Sequence, residues 1–152
     1  MVSRRLVVLA RIYIGVIFLV AAYGKLSHMV DFAGPMTDFL SGVTLAHGYG
    51  FYANFVRAVV LPNAHVFAAL VIAAEVCIAV AMLFGLATRA AAGVAIFLLA
   101  NYMLAKGAVP WSPGSNDAAD IVLCLIILLG AGGRTFGIDA TLHKRFPKVP
   151  LW

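Results

Sequence analysis

The sequence predicts an all-α membrane protein: a four-transmembrane-helix bundle with short amphipathic helices in the outer loop between helices 1 and 2. Two observations on composition support this class. Hydrophobic residues make up 64% of the 152-residue chain and charged residues only 11%, whereas soluble domains carry about 25% charged residues. The mean hydropathy is +1.03. A third observation is a series of apolar runs, since a helix needs roughly 20 apolar residues to cross a bilayer.

Four spans are expected, with a lid segment between the first two and a tail after the last. The spans cover about residues 6–26, 64–86, 89–106 and 117–133. The last two are short and cross with the help of flanking side chains that reach the headgroups. Residues 27–63 form an outer lid segment, too small and too apolar for a soluble domain, and residues 134–152 form a basic tail. Together these parts make one membrane domain, residues 1–152.

Two short helices are expected in the lid segment. Gly34-Pro35 is typical of a helix start, and Gly42 with the glycines that follow it breaks this helix. A second helix is expected from Phe51 to Leu61, with its aromatic side chains in the headgroup region. We expect Pro62-Asn63 to end it.

Positive charge predicts the orientation, because the cytoplasmic flanks of membrane spans retain Lys and Arg. With both termini in the cytoplasm, most basic residues lie on or near the inner side: Arg4, Arg5, Arg11, Arg89, Arg134, Lys144, Arg145 and Lys148. The net charge of +5 therefore reflects membrane topology. It does not indicate nucleic-acid binding, since there is no basic soluble domain to carry it.

An acid, Glu75, stands near the middle of the apolar run Val66–Leu86. A carboxyl group at membrane depth is costly unless it is neutralised or paired. Arg11 and Lys25 share one face of the first span, and we expect Arg11 to contact Glu75 in the inner half of the bundle. Such a pair either joins two helices or belongs to a site that accepts protons or binds a quinone headgroup.

A second polar cluster is expected below the lid segment. It brings together a cation, an amide, a phenol and a carboxylate from Lys25, Asn101, Tyr102 and Asp120. Such a set binds a small anion or a quinone carbonyl, or it is a network of helix caps and snorkelling side chains. The candidate ligand-binding residues are Arg11, Lys25, Glu75, Asn101, Tyr102 and Asp120, and no catalytic residue is assigned.

The sequence shows no haem, flavin, iron-sulfur or metal motif. His28, His47, His65 and His143 match no metal or haem spacing, so quinone is the one cofactor that the candidate residues suit. Cys77 and Cys124 fall in different spans without a C-x-x-C motif. We expect them to be small packing residues, with a redox pair as the alternative.

Short motifs follow one another from Arg11 to about Asp139: Arg11-Ile12 with Gly15 and Phe18, Gly24-Lys25-Leu26, Glu75, Phe84-Gly85-Leu86-Ala87-Thr88-Arg89, Asn101-Tyr102, Asp120, Gly132-Gly133-Arg134 and Gly137-Ile138-Asp139. This order resembles the DoxX family, which includes the DoxD-like small subunits of thiosulfate:quinone oxidoreductase. The resemblance implies a four-helix bundle in a prokaryotic cytoplasmic (inner) membrane. It also implies partner proteins in a redox pathway, often one of sulfur compounds, that delivers electrons to quinone.

We therefore expect a membrane subunit of a quinone-linked oxidoreductase, with a polar cavity between helices for quinone or a small anion. Its partners would be the bilayer and either the other proteins of a redox complex or further copies of the chain. Catalysis by the chain alone is not expected, because no electron carrier is evident. The alternative is a non-enzymatic scaffold or assembly protein with structural buried charges. A small-solute transporter has less support, because four spans are few.

Overall fold

The described part of the protein is helical. The structure, a computed structural model, describes residues 4–27, 32–130 and 136–146. The α-helices in these ranges are α1 (Arg4–Ser27), α2 (Ala33–Phe39), α3 (Leu45–His47), α4 (Gly50–Phe55), α5 (Ala64–Phe84), α6 (Thr88–Lys106), α7 (Asp117–Gly130) and α8 (Ile138–Arg145). These ranges contain no β-strand, which confirms the all-α class.

Among the described residues, three helical stretches are long and apolar enough to cross a membrane: Arg5–Ser27, Gly50–Phe84 and Thr88–Lys106. The chain is therefore a membrane protein with transmembrane helices. The fourth predicted span begins with α7, of which 14 residues are described. The rest of that span, up to residue 133, lies outside the described residues, as do residues 134–135 and 147–152 of the predicted basic tail.

The lid segment continues into the second long helix. Turns of π-helix at Leu40–Thr44 and Val56–Val60 extend α2 and α4. A 3-10 turn, Leu61–Asn63, then joins the second π-helical turn to α5. The prediction that Pro62 ends a helix is wrong, because the proline stands at the start of this turn, where its missing N–H costs no hydrogen bond.

The long helices form a ring in which α1 packs on α5 and α7, and α6 packs on the same two helices. α1 and α5 are antiparallel, since Gly15 meets Leu83 while Lys25 meets Glu75. Gly15 permits this close approach, because a Cβ there would lie 3.0 Å from the Leu83 side chain. The centre of the ring is an apolar core that includes Ile14, Phe18, Ile78, Met82, Ala92, Cys124 and Ile127.

A carboxylate from α8 fixes the turn between α5 and α6. Asp139 accepts hydrogen bonds from the backbone N–H groups of Ala87 at 2.6 Å and Thr88 at 2.8 Å. Its own N–H donates to the Gly85 carbonyl at 2.8 Å, and Gly85 is left-handed with φ +64°. The carboxylate thus pairs the free N–H groups at the start of α6 and balances the helix dipole. We call this end of the bundle the turn end, and the end with residues 107–116 the loop end.

Replacing Asp139 by Ala is expected to lower the free energy of unfolding by about 1–3 kcal/mol, because the buried N–H of Thr88 and the partly buried N–H of Ala87 lose their acceptor. Denaturant titration of the purified protein in detergent measures this loss. Asp38→Ala is the matched control, since Asp38 is exposed on α2 and its replacement should change little. Equal effects of the two substitutions would contradict the role given to Asp139.

Candidate functional site

An ammonium, a carboxylate and a phenol form the centre of the candidate site. Lys25 Nζ donates hydrogen bonds to both Glu75 carboxylate oxygens at 2.7 Å, and the Tyr102 hydroxyl donates to Oε1 at 2.6 Å. The Glu75 side chain is 0% exposed and that of Lys25 21%. The buried acid is therefore paired by a cation and by a neutral donor, as membrane depth requires. We call these three residues the Glu75 cluster.

The directions of the helices explain why these side chains meet. In a helix the Cα–Cβ bonds tilt toward the N-terminus. Lys25 on α1 and Tyr102 on α6 lie near the loop-end termini of helices that begin at the turn end, so both lean back into the bundle. α5 runs the other way, so Glu75 leans toward the loop end and meets them.

The prediction that Arg11 contacts Glu75 is wrong. Arg11 is buried at the turn end, where its guanidinium packs against Gly85 and Gly137 and its charge is attracted to Asp139. Glu75 lies ten residues from Gly85 along α5, about 15 Å at helical rise. Helical rise counted from the inner ends of the two predicted spans puts Arg11 and Glu75 only about 8 Å apart along the bundle, because such a count does not include the actual register between α1 and α5.

Asn101 belongs to a different hydrogen-bond network from its neighbour Tyr102. Its side-chain oxygen accepts a hydrogen bond from the Tyr52 hydroxyl at 3.1 Å, and its amide nitrogen donates to the Phe97 carbonyl at 2.7 Å. Because Tyr52 lies on α4, this contact ties the lid segment to α6.

Asp120 does not join the Glu75 cluster. It is buried in the first turns of α7 and makes no hydrogen bond with Lys25, Asn101 or Tyr102. The neighbouring Asp117 forms an ion pair with Lys106 at 2.7 Å and accepts a hydrogen bond from the Ser115 hydroxyl at 2.9 Å. Of the four residues expected below the lid segment, Lys25 and Tyr102 meet at Glu75, and Asn101 lies beside them in the wall of one cavity, whereas Asp120 does not line it.

A cavity of about 600 Å³ lies beside the Glu75 cluster. This volume is within the range of roughly 300–1,000 Å³ typical of small-molecule sites. Lys25 and Tyr102 line the cavity, and Glu75 lies behind them. Further polar lining comes from Tyr52, Asn101 and Lys106, while most of the wall is apolar and includes Phe39, Phe55, Phe67, Leu70, Val94 and Phe97.

The contacts of two side chains, Tyr52 and Asp139, were not predicted from the sequence. Tyr52 was assigned to a helix in the headgroup region, and no local pattern points to its partner, Asn101, which lies 49 positions away. Asp139 did leave a signal: α6 begins at Thr88 after Gly-Leu-Ala, which supplies no capping side chain, so a cap from elsewhere was needed.

Cys77 is exposed and Cys124 is buried, and both are free thiols. No group of three or more metal-ligating side chains is found among the described residues.

The fold and the site define a helical membrane protein with a ligand-sized cavity beside a buried ion pair. The chain belongs to the DoxX family, whose family model matches residues 6–107. No curated protein and no solved structure matches the chain significantly. The matched range includes the whole Glu75 cluster and the cavity wall, whereas Asp120 and Asp139 lie beyond it.

The Glu75 cluster generates a prediction about stability. Glu75→Gln leaves the Lys25 ammonium without its counter-charge, and we expect a loss of about 2–4 kcal/mol, near the lower part of the range for breaking a buried pair because Lys25 is partly exposed. The double variant Lys25→Met/Glu75→Gln removes both charges and keeps an acceptor for Tyr102. It should recover at least about half of that loss, since no unpaired charge stays buried.

Unfolding free energies of the two single variants and the double variant in detergent give the coupling between the two sites. Lys144→Met/Asp38→Asn, in which both residues are exposed, controls for the change in charge. Additive losses in the double variant would show that the two side chains do not act as a pair.

Proposed function

We propose that the chain is a membrane subunit of a quinone-linked oxidoreductase and that its cavity binds the quinone headgroup beside the Glu75 cluster. The observation that carries this proposal is that Lys25 and Tyr102 line the cavity and also hold the Glu75 carboxylate. Reduction of a quinone to a quinol takes two electrons and two protons. A site for it therefore needs donors with exchangeable protons in an otherwise apolar pocket. Membership of the DoxX family supports an oxidoreductase-associated role.

The balance of charge favours a neutral ligand over a small anion. Both lysines that line the cavity are paired, Lys25 with Glu75 and Lys106 with Asp117, so the wall offers little net positive charge. The Lys25 ammonium directs hydrogen bonds to the two carboxylate oxygens and has a third N–H that is able to meet a ligand oxygen. A quinone carbonyl suits this single donor better than an anion does.

In this proposal each member of the Glu75 cluster has a distinct task. Lys25 donates its remaining N–H to one quinone oxygen and so orients the ring. Tyr102 and Lys25 carry the exchangeable protons, and Glu75 holds both side chains in place and balances the lysine charge. The two electrons come from a partner protein of the complex, with a sulfur compound as the expected donor. The two protons come from water at the loop end, through the cluster.

The proposal includes four spans in a prokaryotic cytoplasmic membrane, with both termini in the cytoplasm and the loop end outside. The packing of α7 against α1 and α6 supports a fourth span. Phe51 in the lid segment and Trp111 in the opposite loop are 68% and 81% exposed. Aromatic side chains are enriched at the headgroups, so these two support a position of the loop end at the membrane surface.

Mass spectrometry of organic extracts from mildly purified protein tests the proposal. The wild type should carry close to one quinone per chain. Tyr102→Phe and the charge-neutral Lys25→Met/Glu75→Gln should each retain several-fold less quinone. The double variant removes the Lys25 donor to the quinone oxygen, and Tyr102→Phe removes a bond that holds Glu75 and thereby Lys25 in place; one hydrogen bond contributes about 0.5–1.5 kcal/mol. Occupancy is compared at equal yields of folded protein.

Tyr13→Phe and Lys144→Met/Asp38→Asn are matched controls, because these exposed residues do not line the cavity and should leave the occupancy unchanged. Absence of quinone from the wild type, with the cluster variants affected only in stability, would favour the scaffold or assembly role instead.

A further inference from the structure

We infer that the ligand of this cavity is a long-tailed, lipid-soluble molecule that enters from the bilayer, with its oxygen-bearing head at the Glu75 cluster and its tail along α6 as far as Val94. The identity of the head rests on the proposed function. The tail and the route of entry rest on the shape of the cavity.

The cavity has a polar end and an apolar end. Its wall follows α6 from Val94 to Lys106, a distance of about 18 Å at helical rise. The loop-end part of this stretch carries Asn101, Tyr102 and Lys106. The part toward the turn end carries only apolar lining residues, Val94, Phe97 and Leu98. A ligand that fills the whole length must therefore be polar at one end and apolar at the other.

The apolar end is open to the surroundings along α6, where two of its lining residues are well exposed, Val94 at 47% and Phe97 at 69%. Both belong to the stretch Thr88–Lys106, which is long and apolar enough to cross a membrane. In the bilayer, such side chains face hydrocarbon instead of water. The opening is thus suited to a ligand that is already dissolved in the membrane.

The lid segment covers the polar end. α2 packs on α5, and the π-helical turn Leu40–Thr44 packs on α6. Leu40, Val56 and Val60 form a small apolar cluster of their own and also line the cavity. Both π-helical turns therefore supply lining residues, as turns of this kind often do at functional sites. With the polar end covered, the apolar opening is the route that a tailed ligand can use without leaving the membrane.

Photocrosslinking in lipid nanodiscs tests where the tail lies. Val94 is about 12 Å from Tyr102 along α6, so the probe is a benzoquinone with a diazirine on its alkyl tail about ten carbons from the ring. We expect labelling to concentrate on peptides that contain Val94–Leu98. An excess of the same quinone without the diazirine should compete with this labelling.

Val94→Trp should block the apolar end and reduce the competed labelling at least fivefold. Val80→Trp is the matched control, because Val80 is equally exposed on α5 at 44% but does not line the cavity. Labelling spread over lipid-facing residues without competition, or equal effects of the two tryptophans, would overturn the inference.

Two further outcomes separate the inference from the proposed function. If quinone is bound stoichiometrically but its tail labels residues 107–116, the proposed function stands and the inference fails. If no quinone binds, the proposed function fails, and a single-chain lysophospholipid with a diazirine in its acyl tail is used instead. Competed labelling of the same peptides, lost in Val94→Trp but not in Val80→Trp, then supports the tail site. Its absence overturns the tail site as well.

Discussion

A carboxylate inside a membrane protein has to be paired, and the pairing of Glu75 relates the three longest described helices to one another. The acid comes from α5, the ammonium from α1 and the phenol from α6, and all three bonds are between 2.6 and 2.7 Å. A slide of either neighbouring helix by one turn, about 5.4 Å, would break one side of this arrangement. Apolar packing, such as that of Gly15 on Leu83, acts on the same register, but its contacts are less directional than hydrogen bonds. The cluster therefore specifies which residues of the three helices stand at the same level.

The same cluster determines the chemistry of the cavity beside it. Lys25 would make the wall strongly positive if Glu75 did not neutralise it, and Lys106 is neutralised in the same way by Asp117. The wall thus presents hydrogen-bond donors but carries little net positive charge. Such a surface favours an uncharged molecule with oxygen acceptors, and the aromatic and aliphatic side chains around it favour one that is otherwise apolar.

The sequence predicted the helical class, the approximate ends of the long helices and the need to pair Glu75, because hydropathy and the cost of a buried charge are local properties. It also singled out Lys25 and Tyr102, which the structure brings to Glu75, but it assigned Arg11 as the partner of Glu75. The error came from the relative height of two helices, which depends on packing such as that of Gly15 on Leu83 and is not encoded in either helix alone. The tilt of side chains toward helix N-termini would have favoured Lys25, since its stem leans into the bundle. The contacts of Tyr52 and Asp120 depend on how the lid segment folds back and how α7 is rotated, and no local pattern gives either.

Two buried carboxylates in this chain show how a structural acid differs from one suited to a binding site. Asp139 and Glu75 are each 0% exposed. Asp139, however, accepts hydrogen bonds from backbone N–H groups that have no acceptor within their helix, and it thereby closes a turn. Glu75 is bonded to two side chains that carry exchangeable protons and reach into a cavity. For stability alone, a buried ion pair is often no better than apolar residues of the same volume. The α1–α5 contact already has a closely packed apolar alternative around Ile14, Ile78 and Met82. The ion pair lies where this core meets the cavity, which is the position that the proposed function requires of it.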